Sequence, residues 1–305
     1  MLDLLRCPET DTPLVYEGDE LRSPAGGTRY NINDSGIPIF SARMSHDASI
    51  QDQHYQEIAA EYIKNLGYPH TEEYMAHLDR MLLDVIDLDH VGTVAELCCG
   101  HGEAFKLING RATRGIGVDI SVTMLEEAVR RYGSQHVMFV QGDVTKAPLA
   151  ANSFDAVFML GGIHHINDRT SLFKEVHRML RPGGKLYFRE PVDDFFLWRW
   201  IRAVIYRIAP ALDHRTERPL RREETISAIE GAGLRCRHYR THGFLGFCIF
   251  MNSDVLVFNR AFRFVPGIRW ITRLTALLDE AILRLPGFRS AGLQVIGVAE
   301  KPAAK

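Results

Sequence analysis

Val94-Ala-Glu-Leu-Cys-Cys-Gly-His-Gly-Glu103 is the stretch whose reading decides the fold. It opens with an apolar run suited to a buried strand that ends near Leu97. Gly100 and Gly102 then form a turn, and a helix follows. Glycines in such a turn permit positive φ and let the backbone come close to a ligand. Dinucleotide-binding folds use a similar device, but the three-glycine fingerprint is missing because Glu103, Ala104 and Phe105 come next.

Outward from this turn, strand-like and helical runs alternate. Gly115–Asp119 precedes a helix over Ser121–Tyr132, and Val137–Asp143 comes next. Phe154–Leu160 precedes a helix over Arg169–Leu180, and Gly184–Glu190 follows. Repetition of this kind predicts a doubly wound α/β fold with a mostly parallel, seven-stranded sheet and right-handed crossovers. Ahead of it, 50–66 and 71–88 have helical spacing. Behind it come a helix over Arg222–Gly231, helical sequence over 254–285, and two late strands near Leu234–Arg240 and Leu293–Lys301. These strands are expected to close one edge of the sheet as a hairpin-like pair.

Carboxylates fall at the ends of successive strands. Gly117-Val-Asp-Ile-Ser121 sets Asp119 about twenty residues beyond the glycine turn, where such folds place a ribose-binding acid. Gln141-Gly-Asp-Val144 ends the third strand. Gly161-Gly-Ile-His-His-Ile-Asn-Asp168 follows the fourth, and Arg181-Pro-Gly-Gly-Lys185 precedes the fifth. In this order and spacing the motifs resemble the class I S-adenosylmethionine-dependent methyltransferases, particularly the branch acting on quinones and other small molecules. The resemblance covers about residues 50–190. It implies that S-adenosylmethionine is the cofactor. Glu96, Cys98, Gly100 and Gly102 would line its methionine and ribose end, and Asp119 would take the ribose hydroxyls. Asp143 with Val144 would hold the adenine, and Ile120, Gly142 and Leu160 would complete the site. Cys98 stands where the family has its first loop glycine, so its side chain is expected to point away from the cofactor. Asp119 and Asp143 could instead cap the segments that follow them, Cys98 and Cys99 read as small buried residues, and Asp155 reads as structural.

A methyl group on a sulfonium is already electrophilic, so the protein must align a nucleophile, exclude water and take up a proton where needed. His164 and His165, after the fourth strand, titrate near neutrality and suit that last task. By the resemblance they could equally be structural, one contacting the cofactor and one holding the loop. Glu190 ends the fifth strand beside them and either positions a polar substrate group or satisfies the loop backbone. Base-methylating members of the fold carry an Asn/Asp-Pro-Pro-aromatic motif after the fourth strand. Leu160-Gly-Gly-Ile-His-His165 stands there instead, which favours an O- or C-nucleophile of a small molecule.

A net charge of −2 gives no reason to expect nucleic acid as the partner. Five cysteines, at 7, 98, 99, 236 and 248, form no framework and read as reduced thiols in a cytoplasmic protein. Residues 1–42, rich in turn signals, predict a small β-rich module with strands near Leu14–Tyr16, Tyr30–Ile32 and Ile37–Phe40. Leu-Arg-Cys-Pro8 and Gly-Ile-Pro-Ile39 resemble a zinc ribbon, but Cys7 is its one cysteine, so no metal is expected. The methyltransferase domain would span 50–305, with helical substrate-side insertions at 191–221 and 252–288. Phe195–Ile208, interrupted by Arg199, Arg202 and Arg207, could roof an apolar pocket, pack on the C-terminal helices, or lie on a membrane surface. The charged Thr216–Arg222 loop could clamp a carboxylate or phosphate. The expected substrate is hydrophobic or amphipathic. An RNA methyltransferase and a non-catalytic partner subunit are the competing readings, and the sequence sets no oligomeric state.

Overall fold

The computed structural model describes residues 1–40, 65–201, 218–251 and 257–303. Seven strands form one sheet: β4 (Thr93–Leu97), β5 (Arg114–Asp119), β6 (Val137–Gln141), β7 (Phe154–Leu160), β8 (Leu180–Pro191), β9 (Arg235–His242) and β10 (Gln294–Glu300). Their order is β6-β5-β4-β7-β8-β10-β9. The first five are parallel, whereas β10 runs antiparallel to both β8 and β9. All five residues of β4 are buried, as a central parallel strand covered on both faces requires. The two late strands do pair, but only β9 is an edge. β10, with its buried Val295–Ala299 run, inserts beside β8. Its near-continuous apolar character is what an interior strand needs.

Helices α2 (Glu103–Ile108), α3 (Val122–Tyr132), α4 (Arg169–Met179) and α5 (Arg222–Gly231) connect the strands. Ahead of them, α1 (Pro69–Leu83) starts with proline at its first position, where the missing N–H is harmless. It ends earlier than the 71–88 spacing predicts, and a 3-10 turn at Leu88–His90 follows. The expected helix over 50–66 lies almost wholly outside the described residues. On the C-terminal side, helix begins earlier than expected, with α6 (Leu245–Met251) before a 3-10 segment at Val257–Phe264 and α7 (Ile268–Ile282).

The N-terminal segment forms its own antiparallel sheet from β1 (Val15–Glu17), β2 (Glu20–Arg22) and β3 (Arg29–Asn31). Residues 37–40 are not a strand of that sheet. They run along the outer edge of the large one: Gln141 donates its N–H to the Pro38 carbonyl, and Phe40 donates to the Gln141 carbonyl, both at 2.9 Å. Leu5 forms an antiparallel bridge with Leu149, in the connection after β6. Leu4, Leu21, Tyr30 and Phe40 therefore share one apolar core with Ile116, Val140 and Phe154. Cys7 is buried there, 3.1 Å from the Tyr30 hydroxyl.

A separate core joins α1, α6 and α7 with Trp198, whose indole N–H donates to the Ala291 carbonyl at 2.6 Å. The described part of the 195–208 segment thus packs on the C-terminal region through Trp198, while Phe196 and Trp200 stay exposed. The rest of that segment lies outside the described residues. No helix among the described residues is long and apolar enough to cross a membrane.

Buried polar groups tie these helices to the sheet. Asp279 on α7 accepts the Tyr74 hydroxyl at 2.5 Å and the N–H groups of Phe244, Gly246 and Phe247. Its neighbour Glu280 meets His242 at 2.8 Å, His77 at 3.7 Å and Arg240 at 3.3 Å. Burial alone would raise the Glu280 carboxyl, but hydrogen bonds and charge from His242 and His77 outweigh it and hold it at about 2. A depressed folded-state value stabilises the fold fully above the ordinary 4.5, and the gain is lost as pH falls toward about 2. Urea midpoints measured across that window should therefore fall steeply for the natural protein and less steeply for Glu280→Gln; parallel curves would show that Glu280 does not carry the acid sensitivity.

Candidate cofactor and active site

The loop after β4 is built from left-handed residues. Cys98, Gly100 and Gly102 have φ of 51°, 49° and 87°, and Gly102 is the residue from which α2 starts. Glycine adopts this region freely, whereas a cysteine there carries about 1 kcal/mol or more of strain. The space for the Cys98 side chain comes from Gly162 in the loop after β7. A Cβ on Gly162 would fall inside contact distance of Cys98 Cβ and 2.8 Å from its Sγ. Burial, with the negative charge of Asp119 nearby, pushes the Cys98 thiol well up, so it is a packed thiol and a poor nucleophile. Because φ at Gly162 is −114°, alanine there is strained only by this clash. Gly162→Ala is expected to destabilise the protein by about 2 kcal/mol. Adding Cys98→Gly should restore most of that loss; a chemical-denaturation cycle with additive effects would show that the two loops do not pack as described.

Asp119 ends β5 and is buried. Its Oδ2 accepts the Gly100 N–H at 2.7 Å and its Oδ1 the Ser121 N–H at 2.9 Å. The carboxylate thus fixes the β4 loop and the start of α3, where the Ser121 hydroxyl caps Met124 N–H. The Asp119 carbonyl takes the Gly142 N–H at 2.9 Å, drawing the turn after β6 alongside. Ile120 is half-buried between them, its carbonyl 3.3 Å from Gln141 Nε2. Asp143 Oδ1 accepts both the N–H and the hydroxyl of Thr145, capping the short turn at Val144–Lys146, and Val144 is buried. Capping and a place at the strand ends are therefore combined in both aspartates.

Glu96, on β4, is buried and accepts the Ala104 N–H of α2 at 2.7 Å through Oε1. Its Oε2 is buried and has no hydrogen-bond partner among the described residues. Burial raises this carboxyl well above the usual range, and Glu103 and Asp119 add to the shift. Asp155 is structural: it accepts the Thr93 N–H at 2.7 Å and pairs with Arg181 at 2.6 Å.

Leu160 closes β7 in a buried position, and beyond it the histidine loop is held from below by Glu190. This fully buried carboxylate accepts the N–H groups of Gly162 and Ile163 at 2.8 Å each through Oε1. Its Oε2 meets His164 Nδ1 at 2.9 Å and the His164 N–H at 3.4 Å. Of the two roles expected for Glu190, the structure displays the satisfaction of the loop backbone. The rings of His164 and His165 lie 3.9 Å apart, and the His164 carbonyl accepts the Arg218 N–H. Next to Glu190, the buried Arg189 reaches Asp79 of α1 at 2.6 Å and Glu103 of α2 at 2.7 Å. Sequence reading missed this triad and the Pro38–Phe40 contact with Gln141. The arginine, set amid the apolar β8, was the available signal.

The expected residues thus converge at the carboxyl edge of one parallel sheet, where ligands of such folds bind. Residues 95–188 match a family model described as a methyltransferase domain. The chain is 28% identical over 138 residues to a 2-phytyl-1,4-naphtoquinone methyltransferase of Thermosynechococcus vestitus, covering 40% of this chain and 60% of that one. It is 35% identical over 96 residues to the ubiquinone/menaquinone biosynthesis C-methyltransferase UbiE of Desulfotalea psychrophila, covering 31% and 39%. These matches span less than two thirds of either relative. In fold, it is similar to a chain in the complex between the Haloferax volcanii Trm112 methyltransferase activator and a methyltransferase, with a TM-score of 0.57, 21% identity, and coverage of 82% and 98%. Residues 95–188 are thus similar to a methyltransferase domain. The cofactor this domain implies is S-adenosylmethionine, and the residues present fit it. The buried Glu96 oxygen that has no hydrogen-bond partner among the described residues would suit an ammonium group, and the Asp119 carboxylate at the adjoining strand end would suit hydroxyls.

Proposed function

We propose that this protein transfers a methyl group from S-adenosylmethionine to an O- or C-nucleophile of a hydrophobic or amphipathic small molecule. The observation that carries the donor half is the buried Glu96 oxygen, without a hydrogen-bond partner among the described residues, beside the Asp119-latched glycine loop. The acceptor half is supported by the quinone-modifying relatives and by the apolar sequence of the 191–221 insertion.

In this reading Glu96 and the 98–102 loop hold the methionine end, Asp119 with Ile120 the ribose, and Gly142, Asp143, Val144 and Leu160 the adenine side. Bound S-adenosylmethionine supplies the electrophilic sulfonium methyl group. His164 takes the proton released by the nucleophile. With Glu190 accepting from Nδ1–H, the neutral imidazole presents Nε2 as an acceptor. His165 packs against the His164 ring, and the Glu190 bonds to residues 162–164 keep the loop in place. His164→Ala is expected to lower kcat by about 10²-fold while leaving cofactor affinity within about twofold. An equal loss in both would make His164 structural.

The acceptor class is tested with methyl-labelled cofactor in cell extract. Label in the organic-soluble fraction is expected, while label in RNA would establish the competing nucleic-acid reading.

A further inference from the structure

A recess of about 790 Å³ lies at the β9 edge of the sheet. With strands spaced about 4.8 Å apart, β9 is about 19 Å from β4 and its cofactor loop. Arg222 from the start of α5, Arg240 from β9, and Arg284 and Arg289 from the turns after α7 line it. The carboxylate among its lining residues is Asp194, and Glu280 pairs with Arg240, so four guanidinium groups meet two acids. Arg222 is held in place: its guanidinium lies 4.9 Å over the Tyr239 ring and donates to the Tyr239 carbonyl at 3.0 Å. Arg240 is tethered by Glu280 at 3.3 Å. Among the described residues, Arg284 and Arg289 have no acid partner.

Forked, weakly hydrated guanidinium groups match the oxygens of a phosphate group, and after Asp194 and Glu280 are counted two of the four remain unbalanced. Leu283 lines the recess, and exposed apolar side chains adjoin it along the chain. Trp270, Leu274, Leu277 and Leu278 form an exposed stripe along α7, and Leu285 and Phe288 continue it beside Arg284 and Arg289. We propose that this recess binds the phosphate or diphosphate head of an amphiphilic ligand whose apolar part lies along the exposed face of α7. The site is separate from the methyl-donor loop and goes beyond the methyl-transfer reading.

The test is calorimetry with inorganic pyrophosphate on the full chain, paired with the exposed double variant Arg284→Glu/Arg289→Glu. Saturable binding is expected, weakening with salt and falling at least 30-fold in the variant, whereas S-adenosylmethionine affinity is unchanged and shows that the variant is folded. Sedimentation with phosphatidylcholine vesicles, with or without phosphatidic acid, separates the two sources of the head group. Pyrophosphate-competed binding to the acidic vesicles identifies a membrane lipid; pyrophosphate binding without vesicle association identifies a soluble phosphorylated amphiphile. No binding of pyrophosphate, or equal binding by the double variant, would overturn the proposal.

Discussion

Replacing Glu190 by Gln is expected to leave the protein folded and able to bind S-adenosylmethionine while lowering kcat by about 10²- to 10³-fold. The amide can still place its carbonyl where Oε1 accepts the Gly162 and Ile163 N–H groups, so the loop keeps two of its three backbone supports and loses the longer one, from the His164 N–H. Its NH₂ would then face His164 Nδ1, which must accept rather than donate. That reverses the tautomer, protonates Nε2 and removes the proton acceptor proposed for the reaction. Glu190→Ala is the harsher change, because it leaves three backbone N–H groups of residues 162–164 without their acceptor, two of them in fully buried bonds. A loss of about 3 kcal/mol of stability is expected. Chemical denaturation and steady-state kinetics together separate the two variants. If Glu190→Gln retained full turnover, Glu190 would be a loop support alone and His164 would not need its tautomer set.

Asp119→Ala is expected to weaken S-adenosylmethionine binding at least 100-fold, about 3 kcal/mol. Two losses combine. A hydroxyl acceptor proposed for the ribose disappears, and the Gly100 and Ser121 N–H groups lose the carboxylate that latches the β4 loop to β5. Asp119→Asn keeps one carbonyl oxygen and should fall between the two. Because the latch is internal, thermal stability should drop along with affinity. Unchanged affinity in titration calorimetry would show that the cofactor lies elsewhere.

Much of this site was legible in the sequence because backbone geometry constrains it. A turn of left-handed residues after a buried strand asks for glycine, so Gly100 and Gly102 were visible; acids at strand ends, Asp119 and Asp143, fell at regular intervals. The partners of Glu190 were not legible. They are main-chain N–H groups 26 to 28 residues away, and a backbone donor leaves no mark on residue identity. The Arg189 pairs with Asp79 and Glu103 span 110 and 86 residues, with no periodicity to announce them. The place of β10 between β8 and β9 depends on tertiary pairing. So does the contact of Pro38–Phe40 with the β6 edge, which joins a segment that reads as separate to the main core. Cys98 was recognised as a departure from glycine, but its compensation at Gly162 became visible only once the two loops met.

The central claim is that the loop from Glu96 to Gly102, with Asp119, is a methyl-donor site. Titration calorimetry of the natural protein with S-adenosylmethionine tests it most directly. Saturable binding at one site per chain, with a Kd tighter than about 100 µM, is predicted. Absence of saturable heat up to millimolar cofactor would contradict it.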